Sequence, residues 1–478
     1  MIAEDKKIEK PEDKKHESFR DSVSIIDKAG NRVWVYPKKP KGHYHNWRIA
    51  VSIVLLAVLF GVPFIKVGGH PFFMLNIIER KFIIFGMAFW PQDFYIFALI
   101  FLSLVIFIFL FTAVFGRIWC GWACPQTIFM EMVFRKIEYW IEGDGAEQYK
   151  LDRAEMTPDK FLKKTLKHVI FFVISFVIGN TLLAYIIGVD DLFKIVSEPI
   201  KEHWVGFSFM MGFSLLFYFI FSRFREQACI YVCPYGRLQS VMLDKNSIVV
   251  AYDFKRGEPR GKLKESAAKQ LGDCIDCGLC VHVCPTGIDI RNGTQLECVN
   301  CTACMDACDG VMTKIGRAQK LIRYASFDLI NKGIKFAITP RIVAYSSVLV
   351  FLIAVTGSFI FMRKDMQTTI LRAKGSMYQV MENGMIRNIY TAKILNKTFD
   401  SMNIHFHLED IPGNITVAGT DKMLLQPDEL VEATFLVDIV PEAVKQNYMK
   451  ITIGVYRDDV LISREETSFI APPKGAKK

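Results

Sequence analysis

The sequence predicts a multidomain membrane protein. An α-helical transmembrane bundle of five spans carries a polar cysteine-rich insert and ends in an all-β domain. Three observations predict this. Five long stretches, Ile49–Ile65, Phe94–Gly116, Val169–Val189, Trp204–Ser222 and Ile342–Met362, contain no charged residue, and a spanning helix needs about 20 apolar residues. The 12 cysteines fall into tight groups, at 120/124, at 229/233 and eight between 274 and 308. The tail from about residue 375 has no cysteine and alternates like β-strand.

Composition agrees. The chain of 478 residues is 51% hydrophobic and 23% charged, with a mean hydropathy of +0.24. That is too apolar for an ordinary soluble protein and too charged for a bare helix bundle. The net charge of +10 fits basic residues crowding one side of a bilayer. No nucleic-acid motif accompanies it, so the expected partner is the lipid bilayer and not nucleic acid.

Residues 1–47 form a highly charged tail without an apolar h-region, so no cleavable signal peptide is expected. Residues 48–245 form a four-helix membrane core. Its first span is marginal, and Pro63 shortens or kinks it. The apolar segment between the first two spans is interrupted by Glu79, Arg80 and Lys81 and reads as an interfacial or re-entrant piece. Orientation follows from the basic residues. Loop 117–168 carries nine Lys or Arg, whereas loop 190–203 carries Lys194 and Lys201 against four acids. The tail and the loops 117–168 and 223–340 are therefore expected in the cytoplasm. By parity, the fifth helix at 341–363 leads to an outer, periplasmic domain at 364–478. Its runs MNIHFHLE, LVEATFLVDIV and VLISREETSFI suit an immunoglobulin-like sandwich of about seven strands.

The core contains a duplicated two-helix unit. One copy ends FGRIWCGWACPQ and the other SRFREQACIYVCPYG, so that Cys120 maps to Cys229, Cys124 to Cys233 and Pro125 to Pro234. After each C-x-x-x-C-P comes a polar–apolar stretch, TIFMEMVFRKIEYW or RLQSVML, expected along the membrane surface. Cysteines four apart on a helix share a face, and the proline that follows ends or restarts the helix because it has no N–H to donate. If the two copies converge, four thiolates at the membrane boundary make a site for a soft ion: Cu(I), zinc or another iron centre. Taken singly, a buried cysteine is a small hydrophobe; two equivalent pairs argue for ligation.

The densest signal lies in residues 246–340. CIDCGLCVHVCP and CVNCTACMDACD repeat the spacing of a bacterial ferredoxin with two [4Fe–4S] clusters, in which the fourth cysteine of each run serves the other cluster. Cys274, Cys277, Cys280 and Cys308 are assigned to one cluster, and Cys298, Cys301, Cys304 and Cys284 to the second. Zinc is the alternative for paired CxxC motifs, and the doubled order argues against it. Asp309 stands where such a run has proline, and its charge is expected to lower the potential of the adjacent cluster. Asp276 and His282 lie among the ligands and are candidates for tuning.

This layout resembles the CcoG/FixG/RdxA family of cytochrome oxidase accessory proteins. The resemblance rests on both C-x-x-x-C-P helix ends, the run ECVNCTACMDACD, the fifth span and the outer β-domain. It implies a cupric reductase that turns Cu(II) into Cu(I) for a copper-exporting P-type ATPase and for assembly of a cbb(3)-type oxidase. Cys120, Cys124, Cys229 and Cys233 would then be the catalytic, copper-side residues, fed by the two clusters. A quinol-oxidising carrier like the NapH-type membrane ferredoxins and a non-catalytic assembly scaffold are the alternatives. The electron donor is unnamed by the sequence, and a homodimer is left open. Among weaker signals, His43 and His45 read as interface anchors with Tyr44 and Trp47, His405 and His407 as a solvated strand face, and Met377, Met381 and Met385 as packing.

Overall fold

The computed structural model describes residues 25, 29, 31–77, 81–262, 271–334, 338–363, 366–373, 375, 377–418, 423–427, 429–457 and 460–472. Among these, five helices have the length and apolarity to cross a membrane: His43–Phe64, Phe94–Phe115, Pro158–Ile187, Trp204–Phe224 and Pro340–Phe361. Each contains or overlaps one of the uncharged stretches. The first ends in the 3-10 turn Val62–Phe64, with Pro63 inside it. The third begins well before its apolar part, at Pro158, a residue suited to a first helical position. Its polar start carries Lys164 and Lys167, each 2.8 Å from Glu142.

The chain divides into two compact units. The first comprises the residues up to Val62, Leu99–Ala184 and Val189–Ala354. Its cysteine-rich part begins and ends on adjacent strands: Val249–Tyr252 pairs antiparallel with Ile322–Ala325. Between them, the two cysteine runs repeat their backbone as well as their spacing. Asp276 and Asn300 have φ of 50° and 52°, and Gly278 and Thr302 have φ of 66° and 62°. The second cysteine of each run thus stands between two left-handed residues, which coil the loop tightly around its interior. At Thr302, the hydroxyl donates to the carbonyl of Cys301 at 2.7 Å.

The second unit comprises Pro63–Ala98, Tyr185–Gly188 and residues from Val355 onward. Its C-terminal part is a two-sheet β-sandwich. One sheet orders strands 413–417, 430–439, 386–396 and 366–372, with 379–380 beside 386–396; the other orders 423–425, 402–408, 448–457 and 460–470. All pairings are antiparallel. Phe435 stacks on Tyr390 at 5.5 Å and on Phe406 at 5.0 Å in the core. The sheets are also joined by polar groups. The Asn388 amide donates to the Ile470 carbonyl at 2.8 Å, and Tyr390 Oη donates to Ser468 O at 2.9 Å. His405 stacks on Tyr456 at 5.5 Å.

The segment after the first span, expected as interfacial or re-entrant, folds into short antiparallel strands, Phe73–Asn76, Lys81–Ile84 and Met87–Phe89. Phe85 and Gly86, with φ of 52° and 74°, make the two-residue hairpin turn between the last two. Glu79 and Arg80 fall outside the described residues. Asp93, only 3% exposed, closes this unit by pairing with Lys397 at 2.6 Å and Arg363 at 3.2 Å.

Candidate functional site

The eight cysteines of the insert sort into two sets around two voids. Cys274, Cys277, Cys280 and Cys308 line a space of about 370 Å³. Cys284, Cys298, Cys301 and Cys304 line one of about 350 Å³, which Cys280 also borders. The crossed pairing expected from the spacing is therefore what the fold brings together. Among the described residues, no three cysteine sulfurs lie within 4.8 Å of one another. A single zinc ion would draw its thiolates to roughly 4 Å. Each foursome surrounds a volume instead of closing on a point, a shape that suits a cubane. Held there, [4Fe–4S] groups supply single-electron carriage.

The surroundings explain how these loops hold their shape. Cys277 is the exposed member, while Cys274, Cys280 and Cys301 are buried. Cys298 Sγ lies 3.5 Å from Asn300 Oδ1. The carboxylate of Asp309, flagged as a departure from the usual proline, accepts the Lys320 N–H at 2.6 Å. Asp276 pairs with Arg291, which also holds Asp289 at 2.7 Å. The carbonyl of His282 takes the N–H of Lys38 at 2.8 Å.

The four remaining cysteines converge. Cys120 and Cys124 of the first repeat and Cys229 and Cys233 of the second line one cavity of about 800 Å³. Their local geometry differs from the expectation of two thiols one turn apart on a helix. The helix Ile118–Trp122 stops, Cys124 is extended with φ −65° and ψ 123°, and a new helix starts at Pro125. In the second copy a π-helical turn, Ala228–Val232, precedes Cys233, which has φ −68° and ψ 111°, and the chain restarts at Pro234. A residue before proline is driven out of the helical region, so the motif is a helix break that turns the second thiol inward.

This cavity abuts the insert. Thr286 and Val299 border both it and the void lined by Cys284, Cys298, Cys301 and Cys304. A Cβ on Gly121, between the first pair, would meet the carbonyl oxygens of Val299 and Asn300 at 2.6 Å. Arg48 Nε donates to Gly121 O at 3.0 Å. Arg117 donates to Gly236 O at 2.7 Å and also to the carbonyl of Leu296. Trp122 Nε1 donates to Tyr324 Oη at 2.9 Å.

Cysteine spacing gave no hint of two further groups. Gln239, fully buried, donates its amide to Cys120 Sγ at 3.4 Å, reaching from one repeat to the other. Burial pushes the Cys120 thiol up to about 11, against the pull of the Gln239 hydrogen bond. The second is a charged girdle from the stretch expected along the membrane surface. That stretch is packed inside the unit, with Phe129, Met130, Phe134, Arg135 and Glu138 all buried. Its charges are compensated in place. Arg225 forks onto Glu138 at 2.7 and 2.9 Å, Arg135 lies 3.3 Å from Glu131, and Arg135 also pairs with Glu226. A pattern of apolar and charged residues suits a membrane surface equally well, and only the partner charges on Arg225 and Glu226 distinguish the two.

Comparison with known proteins follows this division. Residues 224–327 match the model of a 4Fe-4S dicluster domain, and residues 97–143 that of a 4Fe-4S binding domain. Residues 357–472 match the immunoglobulin-like fold at the C terminus of FixG. The chain is 33% identical to the nitrogen fixation protein FixG of Rhizobium meliloti, over 80% of this chain and 81% of that protein. It is 31% identical to RdxA of Cereibacter sphaeroides, over 80% and 83%. With RdxB of the same organism it shares 32% identity, over 76% and 79%. Likeness of this extent, through the spans, the paired cysteine runs and the β-sandwich alike, makes the chain a member of the FixG/RdxA family of membrane-spanning iron–sulfur proteins.

Proposed function

We propose that this protein carries single electrons to a metal ion taken up by Cys120, Cys124, Cys229 and Cys233, reducing Cu(II) to Cu(I). The carrying observation is that the four thiols of the two repeats line one cavity whose wall, at Thr286 and Val299, also borders the void of Cys284, Cys298, Cys301 and Cys304. Thiolate favours Cu(I) over Cu(II), which prefers nitrogen and oxygen, so capture by these residues makes the substrate ion easier to reduce. Two [4Fe–4S] clusters, held by Cys274, Cys277, Cys280 and Cys308 and by Cys284, Cys298, Cys301 and Cys304, supply the electrons when bound. In this reading the insert lies in the cytoplasm of a bacterium and the β-sandwich in the periplasm. The product Cu(I) serves a copper-exporting P-type ATPase and a cbb(3)-type oxidase under assembly.

A second reading is favoured by two observations. Residues 97–143, which contain Cys120 and Cys124, match a 4Fe-4S binding domain. Among the described residues, no three cysteine sulfurs stand close enough to close on one ion. The same four thiols would then hold a third cluster. One experiment separates the readings. Anaerobic, reduced protein is offered Cu(II) or a quinone analogue, and its iron is counted. Re-oxidation by Cu(II) with about eight irons per chain supports copper reduction, and about twelve supports the third cluster. Re-oxidation by the quinone alone points to a quinol-linked carrier, and re-oxidation by neither to a scaffold.

A further inference from the structure

The four-cysteine cavity has a neighbour. A second cavity of about 750 Å³ is lined by Lys39, Pro40, His45, Arg48, Ile49, Glu131, Met132, Lys136 and Tyr139. Glu131 is the one described residue that lines both. It sits in a π-helical turn, Phe129–Phe134, a local widening often found at functional sites. The second cavity is polar and roomy enough for ordered water. His45 Nδ1, on its wall, is buried without a hydrogen-bond partner among the described residues, which is the kind of atom such water satisfies.

We propose that Glu131 is the proton exit of the four-cysteine cavity, handing protons displaced there to water in the cavity beside His45. The proposal deepens the reading of Cys120, Cys124, Cys229 and Cys233 as a metal-capturing site and rests on it. A thiol that takes a soft cation forms a sulfur–metal bond and releases one proton. The Glu131 carboxylate accepts that proton and returns it to water on its other side; no electron moves. Glu226 and Glu297 also line the four-cysteine cavity, but neither borders the polar one.

The groups facing Glu131 come from three segments. Arg135 lies one turn on at 3.3 Å, Arg48 reaches in from the first span, and Arg225 and Glu226 follow the fourth. Burial pushes the Glu131 carboxyl up, against Arg135 and Arg48, which pull it down. The Arg135 contact is an ion pair without a hydrogen bond, since Arg135 Nη1 has no hydrogen-bond partner among the described residues, and a carboxyl held by charge alone can take and give a proton. The alternative role is charge compensation for Arg135 alone.

The test uses full-length, cluster-loaded protein with both clusters fully oxidised, so that neither can reduce the probe, and one equivalent of Ag(I), a soft cation. Silver per chain is counted while a pH indicator follows proton release in stopped flow. Glu131→Gln is expected to bind as much silver as wild type but release protons at least about tenfold more slowly, with Glu131→Asp restoring the rate. His45→Phe, which fills the polar cavity and leaves the partner of Arg135 in place, is expected to slow release as well and serves if Glu131→Gln does not fold. Silver bound and protons released at the wild-type rate in both variants overturns the proton route alone. Wild-type protein that takes up no silver at the four cysteines overturns the metal-capture reading and this proposal together.

Discussion

The carboxylate of Asp306 accepts the backbone N–H of Tyr44 at 3.0 Å and that of His45 at 2.8 Å. Asp306 stands between Cys304 and Cys308 in the second cysteine run, and Tyr44 and His45 open the first spanning helix. An acid of the cysteine-rich insert therefore satisfies two of the unpaired donors that every helix start leaves, and its charge complements the positive end of the helix dipole. Replacing it with alanine should cost about 1–2 kcal/mol. Asp306→Asn should retain part of the effect. Thermal unfolding followed at cluster absorbance and at helical ellipticity would show both signals falling together in Asp306→Ala; unchanged midpoints would mean that the contact contributes nothing.

Gly121 permits the close approach of the first CxxxC turn to the Val299–Asn300 backbone. A methyl group there meets two carbonyl oxygens at 2.6 Å, and backbone cannot swing aside as a flexible side chain can. Gly121→Ala is expected to displace the loop of Cys298 and Cys301. Iron per chain should fall and the low-temperature electron paramagnetic spectrum of the reduced protein should change. Wild-type iron content with an unaltered spectrum would show that the loop tolerates the methyl.

Cys124→Ser combined with Cys233→Ser should abolish Cu(II)-driven re-oxidation while leaving about eight irons and the visible absorbance in place. A drop from about twelve irons to about eight would instead assign these residues to a third cluster.

Gln239 lends Cys120 a hydrogen bond from the opposite repeat. Outer-shell partners of this sort typically govern metal affinity by 10–100-fold, so Gln239→Leu should weaken soft-metal binding by roughly that factor. Competition against a thiol chelator would measure it. Binding within a factor of about two of wild type would reduce the contact to packing.

In the second unit, Asp93 is the sole acid that the described contacts place between Lys397 and Arg363. Asp93→Asn leaves two largely buried cations without their counter-charge, a change that costs about 3–5 kcal/mol when a buried pair is broken. Limited proteolysis should cut the C-terminal domain faster in the variant, with the cluster absorbance unaltered.

Several of these features were legible in the residues. Runs free of charge located the five candidate spans, because charge is costly in hydrocarbon over that length. Cysteine spacing alone paired Cys308 with Cys274, Cys277 and Cys280, because a doubled motif has a fixed crossing. Other features depend on tertiary partners that a linear pattern does not carry. The central strand Ile386–Asn396 is harder to read because one of its inward positions, Asn388, is polar and breaks the apolar alternation. Asn388 faces inward because Ile470 supplies its hydrogen bonds. The proline marks the end and restart of the helix in the sequence, but that it also forces the preceding Cys124 into extended backbone, so that the two thiols do not share one helix face, is seen only in the structure. FMEMVFRKIEYW looked amphipathic because its charges were counted without Arg225 and Glu226, more than eighty residues away.

The strands Val249–Tyr252 and Ile322–Ala325 join the entry and the departure of the cysteine-rich stretch side by side. Topologically, that stretch is a bubble on the thread: its two necks are already tied. A change of length between them leaves the threading of the helices as it is, whereas the seat beside Gly121 belongs to Val299 and Asn300 inside the stretch and goes with them.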